Sequence, residues 1–154
     1  MFPKTHFILG FIFSVILFFI FPQINFIKAG IIFLSSFLID FDHYVYYVHK
    51  KKDLSLKNAY SWFLKKQAYF DKFSKEQRKK HSSGAFLFFH GIEPLIILFL
   101  LSFLFKPLLL IVIGFSFHLI TDWSKDWIYW RRLYKLSVIK DYMNNKKLKN
   151  LEFL

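Results

Sequence analysis

Four histidines and four carboxylates of this chain stand at the ends of apolar runs or inside them. Asp40-Phe41-Asp42-His43 closes one run, and His90-Gly91-Ile92-Glu93 lies within another. His118-Leu119-Ile120-Thr121-Asp122 closes a third, and Thr5-His6 precedes the first. Ionisable side chains are costly in such surroundings and are kept there for ion, proton or substrate chemistry. Their spacing points to metal. Asp40/His43 and His90/Glu93 are i, i+3 pairs and His118/Asp122 is an i, i+4 pair, so each pair shares a helix face. Helical bundles hold divalent ions with such pairs projecting inward from facing helices. The chain has no Cys, so every ligand must be nitrogen or oxygen. We therefore expect His6, Asp40, Asp42, His43, His90, His118 and Asp122 to hold one or two divalent cations such as Zn, Mn or Fe. The bland alternative is a buried polar network or a set of helix-end caps. A bound cation better explains so many carboxylates remaining ionised in low dielectric.

The elements that must position these residues follow from composition. The chain is 55% hydrophobic, above the roughly 45–50% of ordinary soluble domains, yet its net charge is +12. Both hold because the two kinds of residue are segregated. Residues 7–21 are apolar apart from Gly10 and Ser14, and 22–25 break the run with Pro22 and Asn25. Residues 26–39, 85–105 and 108–123 are the other apolar runs, with Lys106-Pro107 separating the last two. With their flanks, spans of about 3–21, 24–44, 85–105 and 107–123 reach the ~17–25 residues that cross a bilayer. No small-x-small cleavage site follows the first run, so it is read as a span and not as a signal peptide. The fold expected is all-α: a single integral membrane domain of about four transmembrane helices, with basic amphipathic helices on the membrane surface.

Charge gives the orientation. Segment 44–83 holds eleven Lys or Arg against three acids, and 123–154 holds eight against three. The short turns on the other side carry one each, Lys28 and Lys106. The positive-inside rule then puts both termini and the basic segments 45–84 and 124–154 in the cytoplasm, in a cytoplasmic or inner membrane. Trp123, Trp127, Tyr129 and Trp130 sit where interfacial aromatics belong. Aromatics interleave with the basic residues of 44–83, but no nucleic-acid-reading motif is present, so this segment, His49 included, is assigned to the membrane surface. On this topology all the His and Asp groups reach one depth, near the cytoplasmic face.

Thr5-His6, Asp40-Phe41-Asp42-His43, a His-containing segment and His118-x-x-Thr121-Asp122, in that order, resemble the YdjM-like family of small membrane-bound metal-dependent hydrolases. The resemblance runs from His6 to Asp122. Ile39 stands where that family usually has Pro, and Lys80-His81-Ser82 matches only the end of its His-Arg-Gly-x-Thr-His-Ser stretch. The resemblance implies a hydrolase. Its metal would activate water against an ester or phosphoester. Glu93, if not a ligand, is the expected general base. His81, nine positions before His90 and half a turn out of phase with it, is expected to contact substrate or to support the ligands. A site at the interface suggests membrane lipid as the partner and an anionic amphiphile as substrate. The alternative is a metal-binding scaffold or carrier without turnover.

Overall fold

A computed structural model describes residues 3–72, 87–130, 133 and 136–147. Among them there is helix and no strand. Helix α1 (Pro3–Ile20) begins at a proline whose missing N–H costs nothing in a first turn. Pro22 prevents its continuation. Asn25 then caps α2 (Phe26–Phe37) by accepting the Lys28 N–H at 3.0 Å, and the Lys28 ammonium returns to the Gln23 carbonyl at 2.7 Å. A 3-10 turn (Leu38–Asp40) leads into α3 (Phe41–Lys51) and α4 (Leu56–Asp71). A second 3-10 turn (Phe88–His90) precedes α5 (Ile92–Leu104), α6 (Leu108–Trp130) and α7 (Val138–Lys147).

Helix α2 lies at the centre, packed on α1 and on α6, and α6 also packs on α5. Close approach depends on small residues. A Cβ on Gly10 would meet the Ser36 hydroxyl at 2.0 Å, and one on Gly114 would meet the Ile32 carbonyl oxygen at 2.4 Å. The buried positions of α1 are His6, Gly10 and Ser14, four residues apart on one line. Its Phe7, Ile8, Phe11, Ile12, Phe19 and Ile20 are exposed, as are Ile97, Leu100, Phe103 and Leu104 of α5. Polar and small groups are thus inside and large apolar ones outside, the reverse of a soluble domain. Ser14, Ser35, Ser36 and Ser102 each donate to the carbonyl three residues back, so none is left unsatisfied in apolar surroundings. Among the described residues one apolar cluster is formed by Ile39, Phe115 and Leu119, with Leu95, Leu98 and Trp123 against it, and Ile32 and Val112 are buried too.

Helices α1 and α6 are long and apolar enough to cross a membrane. The second expected span, 24–44, is not one helix, because α2 ends at Phe37 after 12 residues, about 18 Å. The third, expected from 85, becomes helical at Ile92, and α5 has 13 residues. The fourth, expected to end at 123, continues to Trp130. Beyond α2 the chain turns polar. Lys52, at φ 56°, ends α3 in the left-handed conformation. The next residue, Asp53, accepts from the Tyr47 hydroxyl at 2.6 Å, the Ser55 N–H at 2.8 Å and the Asn58 amide at 2.9 Å, tying α3 to α4. These donors hold the Asp53 carboxyl below its ordinary range, and the same bond pushes the Tyr47 phenol up to about 12.

Candidate metal centre

The 3-10 turn at Leu38–Asp40 is what lets two nearby aspartates face inward. On a regular helix, positions 40 and 42 would be about 200° apart. The tighter turn changes the phase, and the side chains of Asp40 and Asp42 are each only 8% exposed. Gly91, extended at φ −122° and ψ 167°, similarly separates the turn carrying His90 from α5. His118 and Asp122 come one turn apart from α6, and His6 comes from the start of α1.

Four atoms form the centre: Asp40 Oδ1, His90 Nε2, His118 Nε2 and Asp122 Oδ2. His90 Nε2 is 3.4 Å from Asp40, 3.4 Å from His118 and 3.7 Å from Asp122. His118 Nε2 is 3.8 Å from Asp40 and 3.6 Å from Asp122. Ligands at ~2.0–2.2 Å around a tetrahedral ion are separated by about 3.3–3.6 Å. The five distances from the two imidazole nitrogens, 3.4–3.8 Å, lie close to that spacing.

Hydrogen bonding fixes what the imidazoles present to this cage. His118 Nδ1 is 2.8 Å from the Ser36 carbonyl, which can only accept, so Nδ1 carries the hydrogen and Nε2 a lone pair. His90 Nδ1 is 3.0 Å from Asp42 Oδ2 and donates to it in the same way. The two neutral Nε2 atoms then point lone pairs at each other across 3.4 Å, beside two carboxylate oxygens. Between two neutral rings of these tautomers that contact is not a hydrogen bond; a proton on one ring or a cation between them would satisfy it. The second oxygen of Asp40 is buried and has no hydrogen-bond partner. Donor type, tautomer and spacing all fit a divalent cation held by nitrogen and oxygen.

The other expected ligands lie around this cage. Both Asp42 oxygens are engaged: Oδ2 also accepts the Phe89 N–H at 3.1 Å, and Oδ1 accepts from His43 Nδ1 at 3.0 Å. Asp42 hydrogen-bonds both His90 and His43, and with them it forms a group whose donor atoms are near enough to share an ion. His43 stands at the margin, its side chain 26% exposed against 1% for His6, 3% for His90 and 0% for His118. His6 stacks on His118 with ring centroids 3.9 Å apart and meets Asp122 Oδ1 at 3.1 Å. Three overlapping groups of these residues have donor atoms near enough to share an ion: His6, His118 and Asp122; Asp40, His90 and His118; Asp42, His43 and His90.

Glu93 is not brought to the cage. Its carboxylate accepts from the Ser137 hydroxyl, from the Val138 N–H at 2.9 Å and from the Ile139 N–H at 3.4 Å, capping the start of α7. The reason is local. Gly91 separates the His90 turn from α5, and Ile92 N–H binds the Leu136 carbonyl at 2.9 Å, so the first turn of α5 faces the C-terminal segment. The structure thus places the Glu93 carboxylate at the start of α7 and not beside the four donor atoms. His81 lies outside the described residues. Sequence reasoning missed the Ser36 carbonyl, because a backbone acceptor leaves no residue-type signal. It also missed the hydrogen bond between Asp42 and His90, because an Asp-x-Asp-His run reads equally well as three ligands.

Comparison of the chain with protein-family models, with curated proteins and with solved structures gives no match.

Proposed function

We propose that this chain is an integral membrane, metal-dependent hydrolase of a lipid or other amphiphilic ester, phosphoesters foremost. The observation that carries the reading is the pair of imidazole lone pairs held face to face by Ser36 and Asp42, with two carboxylates beside them. A divalent cation bound there supplies Lewis acidity toward an ester oxygen and acidifies a water molecule. The chain's own residues supply the rest. Asp40, His90, His118 and Asp122 hold the ion. His43, whose Nδ1 meets Asp42 and which is the cluster's most exposed imidazole, is the group assigned to take the proton. The resemblance to the YdjM-like family supports hydrolysis as the reaction.

The membrane part of the proposal is four crossings, with the basic segments and both termini in the cytoplasm. Its support is the apolar exterior of α1 and α5, the two long apolar helices and the charge asymmetry of the turns. Helix α2 continues through its 3-10 turn into α3, so the second crossing is longer than α2 alone. Because the chain has no Cys, single cysteines placed at Asn25 and Ser55 report topology cleanly, and they should label from opposite sides.

The chemical test uses full-length protein in detergent with Zn or Mn and a panel of amphiphilic phosphoesters and carboxylic esters. Wild type should bind metal and turn over. His118→Ala should do neither, and His43→Gln should bind metal and lose turnover. Wild type without bound metal would sink the reading. A second reading, a metal-binding scaffold or carrier without turnover, is favoured by the near-complete burial of His6, His90 and His118. Tight metal binding with no hydrolysis across the panel would establish it instead.

A further inference from the structure

The central cage uses one oxygen of Asp40 and one of Asp122, and what remains has donors to spare. On the far side of Asp122, Oδ1 meets His6 Nε2 at 3.1 Å. Thr121 settles which hydrogen His6 carries. Its hydroxyl donates to the His118 carbonyl at 2.8 Å, so toward His6 Nδ1, at 3.3 Å, it can only accept. The hydrogen of neutral His6 is therefore on Nδ1, and Nε2 presents a lone pair to a carboxylate oxygen. A proton on Nε2 would satisfy this contact, and so would a cation shared by the two atoms, which belong to a group near enough to His118 to share an ion. Adjacent ligands of an octahedral ion at ~2.1–2.2 Å stand about 3.0–3.1 Å apart, which matches this contact. The residues also fall in separate groups: His6, His118 and Asp122 in one, Asp40, His90 and His118 in another, and Asp40 Oδ2 is buried without a partner.

Resting on the metal-dependent reading above, we propose that a second divalent cation binds on the His6 side, held by His6 Nε2 and Asp122 Oδ1, with the Asp122 carboxylate bridging the two ions. The third group does not compete for this role. Using His90 Nδ1 as a ligand there would cost it the hydrogen it gives to Asp42, while its Nε2 already faces the cage. Carboxylate-bridged pairs of ions about 3.5–4 Å apart serve in-line displacement at phosphorus, where both the attacking and the leaving oxygen gain charge. Two dications against Asp40, Asp42 and Asp122 leave the site net positive, which favours an anionic phosphoester over a neutral carboxylic ester.

The test is stoichiometry, read without activity. Full-length protein in detergent is loaded with Mn(II) alone, and bound metal is counted by elemental analysis and native mass spectrometry. Electron paramagnetic resonance reports whether the ions are coupled. Wild type should hold two ions per chain with an exchange-coupled spectrum. His6→Gln should hold one, with the six-line signal of isolated Mn(II), and Thr121→Val, which removes the acceptor that orients His6, should weaken the second ion by tenfold or more. One uncoupled ion in wild type overturns the second site and leaves the cage standing. Two ions that persist in His6→Gln overturn the assignment to His6. No ion in wild type overturns the metal reading itself, and this proposal with it.

Discussion

Replacing Asp42 distinguishes a metal ligand from a group that orients one. In the geometry found here Asp42 accepts three hydrogen bonds, from Phe89 N–H, His90 Nδ1 and His43 Nδ1. Removing the carboxylate behind a metal-bound histidine typically lowers metal affinity about 10–100-fold, about 1.4–2.8 kcal/mol. Asp42→Ala should fall in that range and also lose fold stability, because it strands a buried backbone N–H and an imidazole N–H at about 1–3 kcal/mol each. Asp42→Asn should behave differently. Its amide oxygen can still accept from Phe89 and His90, so metal affinity should fall by no more than about tenfold. Its amide hydrogens then face His43 Nδ1, which must become the acceptor and move its own hydrogen to Nε2. That is the nitrogen assigned to take the proton, so turnover should fall by the roughly 10²–10⁴-fold that a general base contributes. The assay is competition for Zn with a chromophoric chelator in detergent, run beside hydrolysis of an amphiphilic phosphoester. If Asp42→Asn keeps its near-UV circular dichroism but binds no ion where wild type is saturated, Asp42 is a ligand and the orienting role is wrong. If it binds metal and turns over normally, the pairing of Asp42 with His43 has no catalytic part.

Three further outcomes follow from the same geometry. Glu93→Gln should keep its metal and most of its turnover, while amide exchange at Val138 to Lys140 rises as the cap weakens by about 0.5–2 kcal/mol; loss of turnover with an intact cap would return Glu93 to the chemistry. Gly114→Ala should destabilise by about 1–3 kcal/mol in thermal unfolding, because its Cβ would strike the backbone oxygen of Ile32, whereas Gly10→Ala strikes the Ser36 hydroxyl, which can rotate away, and crowds the Ser36 Cβ at 3.1 Å, and should cost less. The folded pKa of Asp53 lies below its unfolded value, so its contribution is present above the ordinary carboxylate range and is lost as pH falls through the folded pKa; protection of the Ser55 amide, taken relative to the intrinsic exchange rate at each pH, should fall below about pH 4 in wild type and not change with pH there in Asp53→Asn.

The residues of the centre were legible in the sequence because burying charge among apolar residues is expensive. Asp40, His90, His118 and Asp122 stood out against Phe, Ile and Leu, and the i, i+4 spacing of His118 and Asp122 named the face they share, whereas the i, i+3 spacing of His90 and Glu93 did not keep that pair together. The all-helical class was legible for a related reason, since long apolar runs broken by Pro22 and Pro107 permit little else. Roles were less legible than membership. Asp42 and Glu93 have the composition of a ligand and a base; in the fold the one meets two imidazoles and the other caps a helix. The difference lies in a 3-10 turn and an extended glycine, which reset the helical phase at Asp40 and at Gly91.

That phase change also explains why two expected spans were drawn as single helices. Hydrophobicity averaged over 24–44 is blind to a three-residue turn of tighter pitch, and Ser35-Ser36 read only as a polar interruption. In the fold those serines are where α2 is approached most closely: Ser36 by Gly10, and Ser35 with the Ile32 carbonyl by Gly114. The Ser36 carbonyl then sets the tautomer of His118. A polar break in an apolar run thus admits two neighbouring helices and aims one of the ligands they carry. It follows that enlarging Gly114 should disturb more than packing. By forcing α6 away from Ile32 and Ser36 it should lengthen the contact between Ser36 and His118, free the Nδ1 hydrogen and weaken metal binding, although position 114 is a full turn from the nearest donor. If Gly114→Ala lowers unfolding temperature but leaves metal affinity unchanged, packing and ligand orientation are separable, and the α2–α6 seam is only a structural contact.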